Sequence, residues 1–136
     1  MPHLVILYTP NLEPQVDFTA LCRALADTMR TVHDESGRPV FPTGGIRVLA
    51  YPAAHFAVAD GQGDYGFAYL NLRMGRGRSA GVRQQAGQAL ADTARSFFDA
   101  ALAARPVGVT LQIDEGAEVF DFRHSSLHPL FAVPPP

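Results

Sequence analysis

The order of the apolar segments is the feature that most constrains the fold. A short apolar run, an amphipathic helical pattern and a second short apolar run follow one another, and the same order then recurs. The first unit begins with a continuous apolar run at Leu4 to Tyr8, typical of a strand buried on both faces, and ends with a run at Ile46 to Tyr51. Between them, apolar residues recur at spacings of three and four from Phe18 to Val32, which predicts a helix with Asp17 as its N-cap. This order predicts a β-α-β unit with a right-handed crossover.

The second unit repeats the pattern at greater length. An apolar segment from Tyr65 to Met74 predicts a strand, and the glycine-rich turn Gly75 to Ser79 leads into a long helical pattern. Ser79 is a suitable N-cap, and Pro106 ends the helix because proline lacks the amide that a helix interior requires. Apolar and small or polar residues then alternate from Val107 to Ile113, as in a strand.

Two such units predict an α/β (α+β) fold, with a four-stranded, mainly parallel sheet and two helices on one face. We also expect a short C-terminal strand at Glu118 to Arg123 and a closing helical turn at Leu127 to Phe131. Neither addition can cover the second face of the sheet. An apolar face left bare in one chain is most simply buried in an oligomer.

Composition limits the classes of function. The chain has 136 residues, of which 47% are hydrophobic and 18% charged, so we expect one globular domain over residues 1–136. The formal net charge of −2 gives no electrostatic case for nucleic acid or a membrane surface as a partner. The single cysteine, Cys22, fits a core position on the first helix and excludes an internal disulfide framework. With no apolar run of transmembrane length and no signal-peptide pattern, we expect a cytoplasmic location.

The amino terminus carries a second kind of signal. Pro2 follows the initiator methionine, which is commonly removed when the next side chain is small. Removal of Met1 would leave Pro2 with a free secondary amine, and α-amino groups titrate near a pKa of ~7.7–8, well below lysine. Such an amine can act as a base near neutral pH. Proline at position two is common, however, so the residue alone says little.

Two arginines stand where strands and helices begin. Arg47 follows Gly44 to Ile46 at the start of the second strand, and Arg78 lies in the turn that opens the second helix. A helix N-terminus favours anions, and a guanidinium group adds a planar set of donors that matches a carboxylate. We interpret Arg73 and Arg76 as solvated surface charges.

Other site chemistries find no support in the pattern. The turn Gly75 to Ser79 lacks both the spacing of a dinucleotide-binding loop and the lysine of a phosphate-binding loop. Serine, histidine and aspartate occur, but not in a nucleophile elbow. The histidines do not combine two ligands at suitable spacing with a third partner, so we expect no metal and no cofactor. These histidines are His3, His33, His55, His124 and His128.

Six short fragments, in this order and spacing, carry a resemblance to a known family. They are Met1-Pro2-His3, Gly45-Ile46-Arg47, Ala59-Asp60-Gly61-Gln62, Asp64-Tyr65, Gly77-Arg78-Ser79 and Arg83-Gln84-Gln85-Ala86-Gly87. Together they resemble the 5-carboxymethyl-2-hydroxymuconate Δ-isomerase family of the tautomerase superfamily, over residues 2 to 131. The resemblance implies a homotrimer of β-α-β-α subunits with the amino-terminal proline at the base of a pocket near subunit contacts. It also implies a role in the meta-cleavage degradation of homoprotocatechuate-type aromatic acids.

The resemblance also implies the roles of individual residues. Pro2 matches the family's catalytic proline, and Arg47 and Arg78 match the arginines that bind the carboxylates of the substrate, a dienol or keto acid. Four aromatic residues are candidates for the apolar wall of the substrate site. These are Phe41, Tyr51, Phe67 and Tyr69.

Two departures from the family pattern leave the substrate more open than the chemistry. The segment from Thr31 to Thr43 is longer and could reshape the pocket, and the chain ends in Pro134 to Pro136. The same proline chemistry also serves decarboxylases, hydratases and dehalogenases of the superfamily. A different class, a non-catalytic trimeric protein that binds small molecules, remains open if Met1 is retained.

Overall fold

The computed structural model describes residues 2–132, so the fate of Met1 and the proline tail at residues 134–136 lie outside the described part of the chain. Four strands and two helices form one α+β arrangement. They are β1 (His3–Tyr8), α1 (Phe18–Arg30), β2 (Arg47–Pro52), β3 (Gly66–Met74), α2 (Ala80–Ala104) and β4 (Val107–Glu115). Both predicted β-α-β units are confirmed, as β1-α1-β2 and β3-α2-β4.

The strands form one sheet in the order β2-β1-β3-β4. Within each unit the two strands pair in parallel, as predicted, whereas the central strands β1 and β3 pair antiparallel. The sheet is therefore mixed, with two parallel pairings around one antiparallel pairing. His3 lies opposite both Arg47 on β2 and Arg73 on β3. In consequence, β1 and β2 begin at the edge of the sheet where β3 ends.

The helices begin where their caps allow. The carboxylate of Asp17 accepts a bond from the amide of Ala20 at 3.0 Å, and the hydroxyl of Ser79 accepts one from the amide of Val82 at 3.2 Å. Each bond satisfies an amide that has no partner within its own helix. Both predicted N-caps are thus confirmed, and both helices pack on the same face of the sheet.

The core lies between that face and the helices. It includes Leu4 and Ile6 of β1, Leu70 and Leu72 of β3, and the aromatic ring of Phe98 on α2, all at most 2% exposed. At about 25 cal/mol per Å² of apolar surface removed from water, such burial is the main favourable contribution to folding.

The opposite face, which we call the open face, carries apolar side chains with no cover from the described residues of the chain. Leu7 is 48% exposed, Leu49 44%, Tyr51 50% and Phe67 38%. The first strand was predicted to be buried on both faces, and within one chain only its helix-covered face is buried. Neither helix in residues 2–132 has the length and apolarity to cross a membrane.

The C-terminal segment, residues 116–132, corrects one prediction and confirms another. No strand forms at Glu118 to Arg123 in the single chain, because the backbone has left the sheet after β4 and pairs with none of its strands. Phe120 and Phe122 are 83% and 76% exposed as a result. The predicted closing turn is present as a 3-10 helix at His128–Phe131.

Candidate active site

Pro2 lies at the edge of the sheet where β1 and β2 begin and β3 ends. Its side chain is buried, because the residue precedes a central strand and neighbours come from both sides. It lines a cavity of about 310 Å³, which we call the Pro2 cavity. The other lining residues are Val40, Phe41, Pro42, Gly45, Met74, Gly75, Arg76, Arg78, Arg123 and His128.

Arg78 reaches this cavity from the turn between β3 and α2. Gly77 has a φ of +104°, in the region that residues with a Cβ rarely adopt, and this glycine redirects the chain after the strand. The guanidinium Nη2 of Arg78 donates a bond of 2.9 Å to the carbonyl oxygen of Val40. That bond fixes the half-buried side chain at the cavity and leaves its other N–H groups for a ligand. The structure therefore brings Pro2 and Arg78 together.

The segment from Thr31 to Thr43 builds one wall of the cavity. Its turn is closed by the Asp34 carboxylate, which accepts bonds from the amides of Ser36 and Arg38, and its ends join through the amide of Val40 and the carbonyl of Val32 at 3.0 Å. The hydroxyl of Ser36 also donates to this carboxylate, and that bond first, followed by the bond from the amide of Arg38, holds the pKa of Asp34 below its usual range.

A second bond ties this wall to the helix that follows Arg78. The hydroxyl of Ser79, the N-cap of α2, donates to the carboxylate of Glu35, and this bond lowers the pKa of the carboxyl group. Phe41, which the sequence suggested for the apolar wall, is 2% exposed and lines the cavity.

Three further side chains line the cavity that the sequence did not identify as site residues. Arg76, interpreted as a solvated charge, is indeed exposed, and it also lines the Pro2 cavity, as do Arg123 and His128 of the C-terminal segment. A position two residues past the end of a strand beside Pro2 was a usable signal for Arg76. Arg123 and His128 gave no such signal, since only tertiary packing returns the C-terminal segment to Pro2.

Arg47 occupies a different place. It does not line the Pro2 cavity; its Nη1 donates to the carbonyl of Gly44 at 2.9 Å and, more weakly, to that of Ile46 at 3.4 Å. Its register opposite His3 puts it on the open face, behind the loop that contributes Gly45 to the cavity. The single chain thus keeps Arg47 next to the site but outside it.

The open face at this edge is positively charged. His3 lies between Arg47 and Arg73, and its pKa is lowered by burial first and then by neighbouring positive charges that include both arginines. Arg73, predicted to be solvated, has a side chain 55% exposed, with Glu118 at 3.7 Å.

The remaining aromatic candidates lie far from Pro2 within one chain. Tyr51 is in β2 and Tyr69 in β3, both in register with Leu7, and Phe67 is two residues from Tyr69. Five residues along a strand correspond to about 16 Å. These three side chains belong to the open face, and the hydroxyl of Tyr69 donates to Gln112 at 3.0 Å.

A larger groove of about 970 Å³ runs between α2 and β4. Of its lining residues, Arg83 pairs with Glu115, and Arg95 pairs with Asp92, which is not part of the lining. Within residues 2–132, no three side chains of the metal-ligating types converge. The Pro2 cavity, where an amino-terminal residue meets three arginines, is therefore the better candidate for chemistry.

Known proteins match this chain over nearly its whole length. The sequence profile of the 5-carboxymethyl-2-hydroxymuconate isomerase family matches residues 2–131. The 5-carboxymethyl-2-hydroxymuconate Delta-isomerase of Escherichia coli is 29% identical over 131 residues, which cover 96% of this chain and 99% of the relative.

Solved structures agree with the sequence matches. A crystal structure of a 5-carboxymethyl-2-hydroxymuconate delta-isomerase is 56% identical, covers 100% of this chain and 96% of its own, and superposes with a TM-score of 0.94. The corresponding isomerase from Deinococcus radiodurans R1 is 31% identical, covers 97% of this chain and 95% of its own, and has a TM-score of 0.85. A fused 4-OT protein, 17% identical with a TM-score of 0.59, shares the fold.

Proposed function

The chain belongs to the 5-carboxymethyl-2-hydroxymuconate isomerase family, and from that premise we propose that it moves a proton within a 2-hydroxymuconate-type dienol acid, with the amine of Pro2 as general acid and base. The observation that carries this proposal is the position of Pro2: it is buried in a cavity beside Arg78. The substrate we assign is 5-carboxymethyl-2-hydroxymuconate, and the process is the degradation of aromatic acids in the cytoplasm.

The proposed reaction needs no cofactor. With Met1 removed, the neutral amine of Pro2 takes the proton of the 2-hydroxyl group, and the double bonds shift along the chain of the substrate. The ammonium form then returns a proton to the distal carbon, so an O–H bond breaks, a C–H bond forms and the amine is regenerated. A positioned base of matched pKa contributes about 10²–10⁴-fold to such a step.

The surroundings of Pro2 favour the neutral amine. Burial and nearby guanidinium groups both disfavour an additional positive charge, and both therefore lower the pKa of an amine. Arg78 would bind a carboxylate of the substrate and draw electron density toward it. Only the part of this interaction that strengthens in the transition state accelerates the reaction.

We further propose that the active form is a homotrimer whose subunits cover one another's open faces. Leu7, Leu49 and Tyr51 would then be buried, as large exposed apolar surfaces of soluble proteins commonly are. In such an assembly Arg47 would act across the subunit boundary, in the site of a neighbouring copy. Its place on the open face, outside its own cavity, supports this assignment.

The test compares the activity of the native protein with that of a Pro2→Ala variant. Both are assayed on 5-carboxymethyl-2-hydroxymuconate by following the loss of dienol absorbance. Intact mass first establishes that Met1 is absent from both proteins. We expect the variant to keep its circular dichroism spectrum and oligomeric size and to lose at least ~10²-fold in kcat. Unchanged activity would refute the amine mechanism.

The same panel separates the alternatives. Haloacrylates, acetylenic acids and 3-oxo acids, tested in parallel, would reveal a dehalogenase, a hydratase or a decarboxylase that uses the same proline. Binding of dienol acids without turnover, in protein shown to lack Met1, would indicate a non-catalytic binding protein.

A further inference from the structure

We propose that Arg76 and Arg123, together with Arg78, form a three-guanidinium site in the Pro2 cavity that selects substrates with three carboxylates. This inference rests on the proposed function, because it assigns the specificity of the same cavity. Neither Arg76 nor Arg123 is among the residues that the family resemblance assigns to substrate binding.

The ionisable side chains that line the cavity are all basic. Its lining includes three arginines and a histidine, and among the described lining residues no aspartate or glutamate is present to neutralise them. Arg76 has no hydrogen-bond or ion-pair partner within the described chain, although it lies beside a buried strand end at Met74. Three guanidinium groups at one cavity repel one another, and among the described residues only Arg123 has a carboxylate partner, Asp121, which is not part of the lining. An anion bound between the three groups would relieve this repulsion.

Arg123 reaches the cavity from the C-terminal segment, whereas Arg76 comes from the turn after β3. Its Nε donates to the carboxylate of Asp121 at 2.8 Å, with both side chains about half exposed. Because exposed ion pairs of this kind contribute little, a ligand carboxylate can compete for the guanidinium group. The terminal nitrogens of Arg123 remain available for a bidentate contact.

The backbone segments that carry Arg76 and Arg123 are held in place by local structure. Arg76 lies in the short turn between Met74 and the left-handed Gly77. The segment carrying Arg123 is held where its closing turn packs on the turn at Thr43–Gly45: a Cβ added to Gly44 would lie 2.8 Å from the Cα of His128. Such close packing fixes the C-terminal segment over the cavity.

The proposed substrate carries three carboxylates, one for each of the three guanidinium groups. Muconate is a dicarboxylate, and the carboxymethyl substituent adds a third carboxylate. A trianion in a small cavity requires several fixed cations, and guanidinium groups bind carboxylates through two parallel N–H bonds. Arg78 is placed next to Pro2 for the carboxylate nearest the reacting atoms, and Arg76 and Arg123 take the other two.

The test measures kcat/KM for Arg76→Gln and Arg123→Gln with three dienols: 5-carboxymethyl-2-hydroxymuconate, 2-hydroxymuconate and the monocarboxylate 2-hydroxy-2,4-pentadienoate. We expect each variant to lose ~10-fold or more with the tricarboxylate, mainly through KM, and less than about 3-fold with the monocarboxylate. Arg95→Gln, which removes an exposed arginine on α2 away from this cavity, is the matched control. Lysine at either position should restore part of the loss.

A binding measurement separates this inference from the proposed function. Calorimetry with propane-1,2,3-tricarboxylate should show weaker binding to both glutamine variants than to native protein and the Arg95→Gln control, whether or not any dienol is turned over. Weakened binding without turnover would support the site and refute the proposed function. Normal turnover by native protein, with glutamine variants that match the control or lose equally on all three dienols, would overturn the inference and leave the proposed function standing.

Discussion

At the residue scale, Arg78 differs from Arg47 in what holds it. Arg78 spans from the start of α2 to the carbonyl of Val40 and lines the cavity, whereas Arg47 bonds to carbonyls of its own loop. Two residues that look equivalent in the sequence, each following a glycine-rich turn, therefore occupy different environments. Substitutions of Arg78 and of Arg47 should therefore have different effects.

We predict that Arg78→Gln lowers kcat/KM for the dienol acid by about 10- to 100-fold, because a charge-assisted hydrogen bond is worth roughly 1.5–3 kcal/mol. Steady-state kinetics measures this loss, and a thermal melt shows whether the bond to Val40 also matters for stability. Arg78→Lys keeps the charge and should retain more activity. A glutamine variant with native kcat/KM would show that Arg78 has only a structural role.

Some of these residues could be predicted from the sequence and others could not. Pro2 and Arg78 carry local signals: a proline beside the initiator methionine, and an arginine in a glycine turn before a helix. Arg123 is 121 positions from Pro2, and nothing in its neighbourhood indicates that the chain returns there. Long-range packing of an irregular segment leaves no periodic trace in a sequence.

At the scale of elements, the strands and helices were predictable because each has a clear apolar period and a stop signal. Asp17 and Ser79 begin the helices as expected. The observed β2 begins and ends one residue later than predicted, and β3 begins one residue later and ends as predicted. The antiparallel pairing of β1 with β3 was not predictable, since either edge of each unit offers the same unpaired backbone. The predicted strand at residues 118–123 has suitable side chains, but the segment pairs with none of the four strands in one chain.

The contact between the two 3-10 turns gives a prediction at this scale. Gly44→Ala would place a methyl group 2.8 Å from the backbone of His128, so the C-terminal segment must shift and Arg123 with it. We expect a stability loss of about 1–3 kcal/mol, typical of overpacking, and faster tryptic cleavage after Arg123. Chemical denaturation and timed proteolysis measure the two effects.

Gly81→Ala is the control for this variant. A Cβ at Gly81 would meet only the hydroxyl oxygen of Ser79 at 3.9 Å, an ordinary contact in the first turn of α2. That variant should be neutral or slightly stabilising, because alanine favours a helix more than glycine. Equal behaviour of the two variants would show that the packing at Gly44 does not position the C-terminal segment.

At the scale of the whole molecule, the open face and the position of Arg47 lead to one prediction about assembly. If Arg47 acts in the site of a neighbouring copy, Pro2→Ala subunits and Arg47→Ala subunits should complement each other when refolded together. The Arg47→Ala subunit supplies the Pro2 amine, and the Pro2→Ala subunit supplies the Arg47 guanidinium group. Random 1:1 mixing in a cyclic trimer would restore about one quarter of the sites. Activity assays on the mixed, size-fractionated oligomer measure the recovery.

The pair Pro2→Ala with Arg78→Ala is the matched control. Both residues line one cavity of one chain, so no mixed site regains both and activity should stay at the level of the separate variants. Recovery in the control, or none in the Arg47 pair, would contradict the assignment of Arg47 to the neighbouring site.

The central claim is that Pro2 carries a free amine that is a base near neutral pH, and its titration tests this most directly. In protein labelled with ¹⁵N-proline, 11 prolines are present in the full sequence, and only an amine nitrogen at the amino terminus can gain a proton in this range. We predict one proline resonance that titrates with a pKa below the ordinary ~7.7–8 of an α-amino group, because burial and the arginines disfavour the ammonium form. A titration midpoint above 8, or no titrating proline at all, would contradict the account.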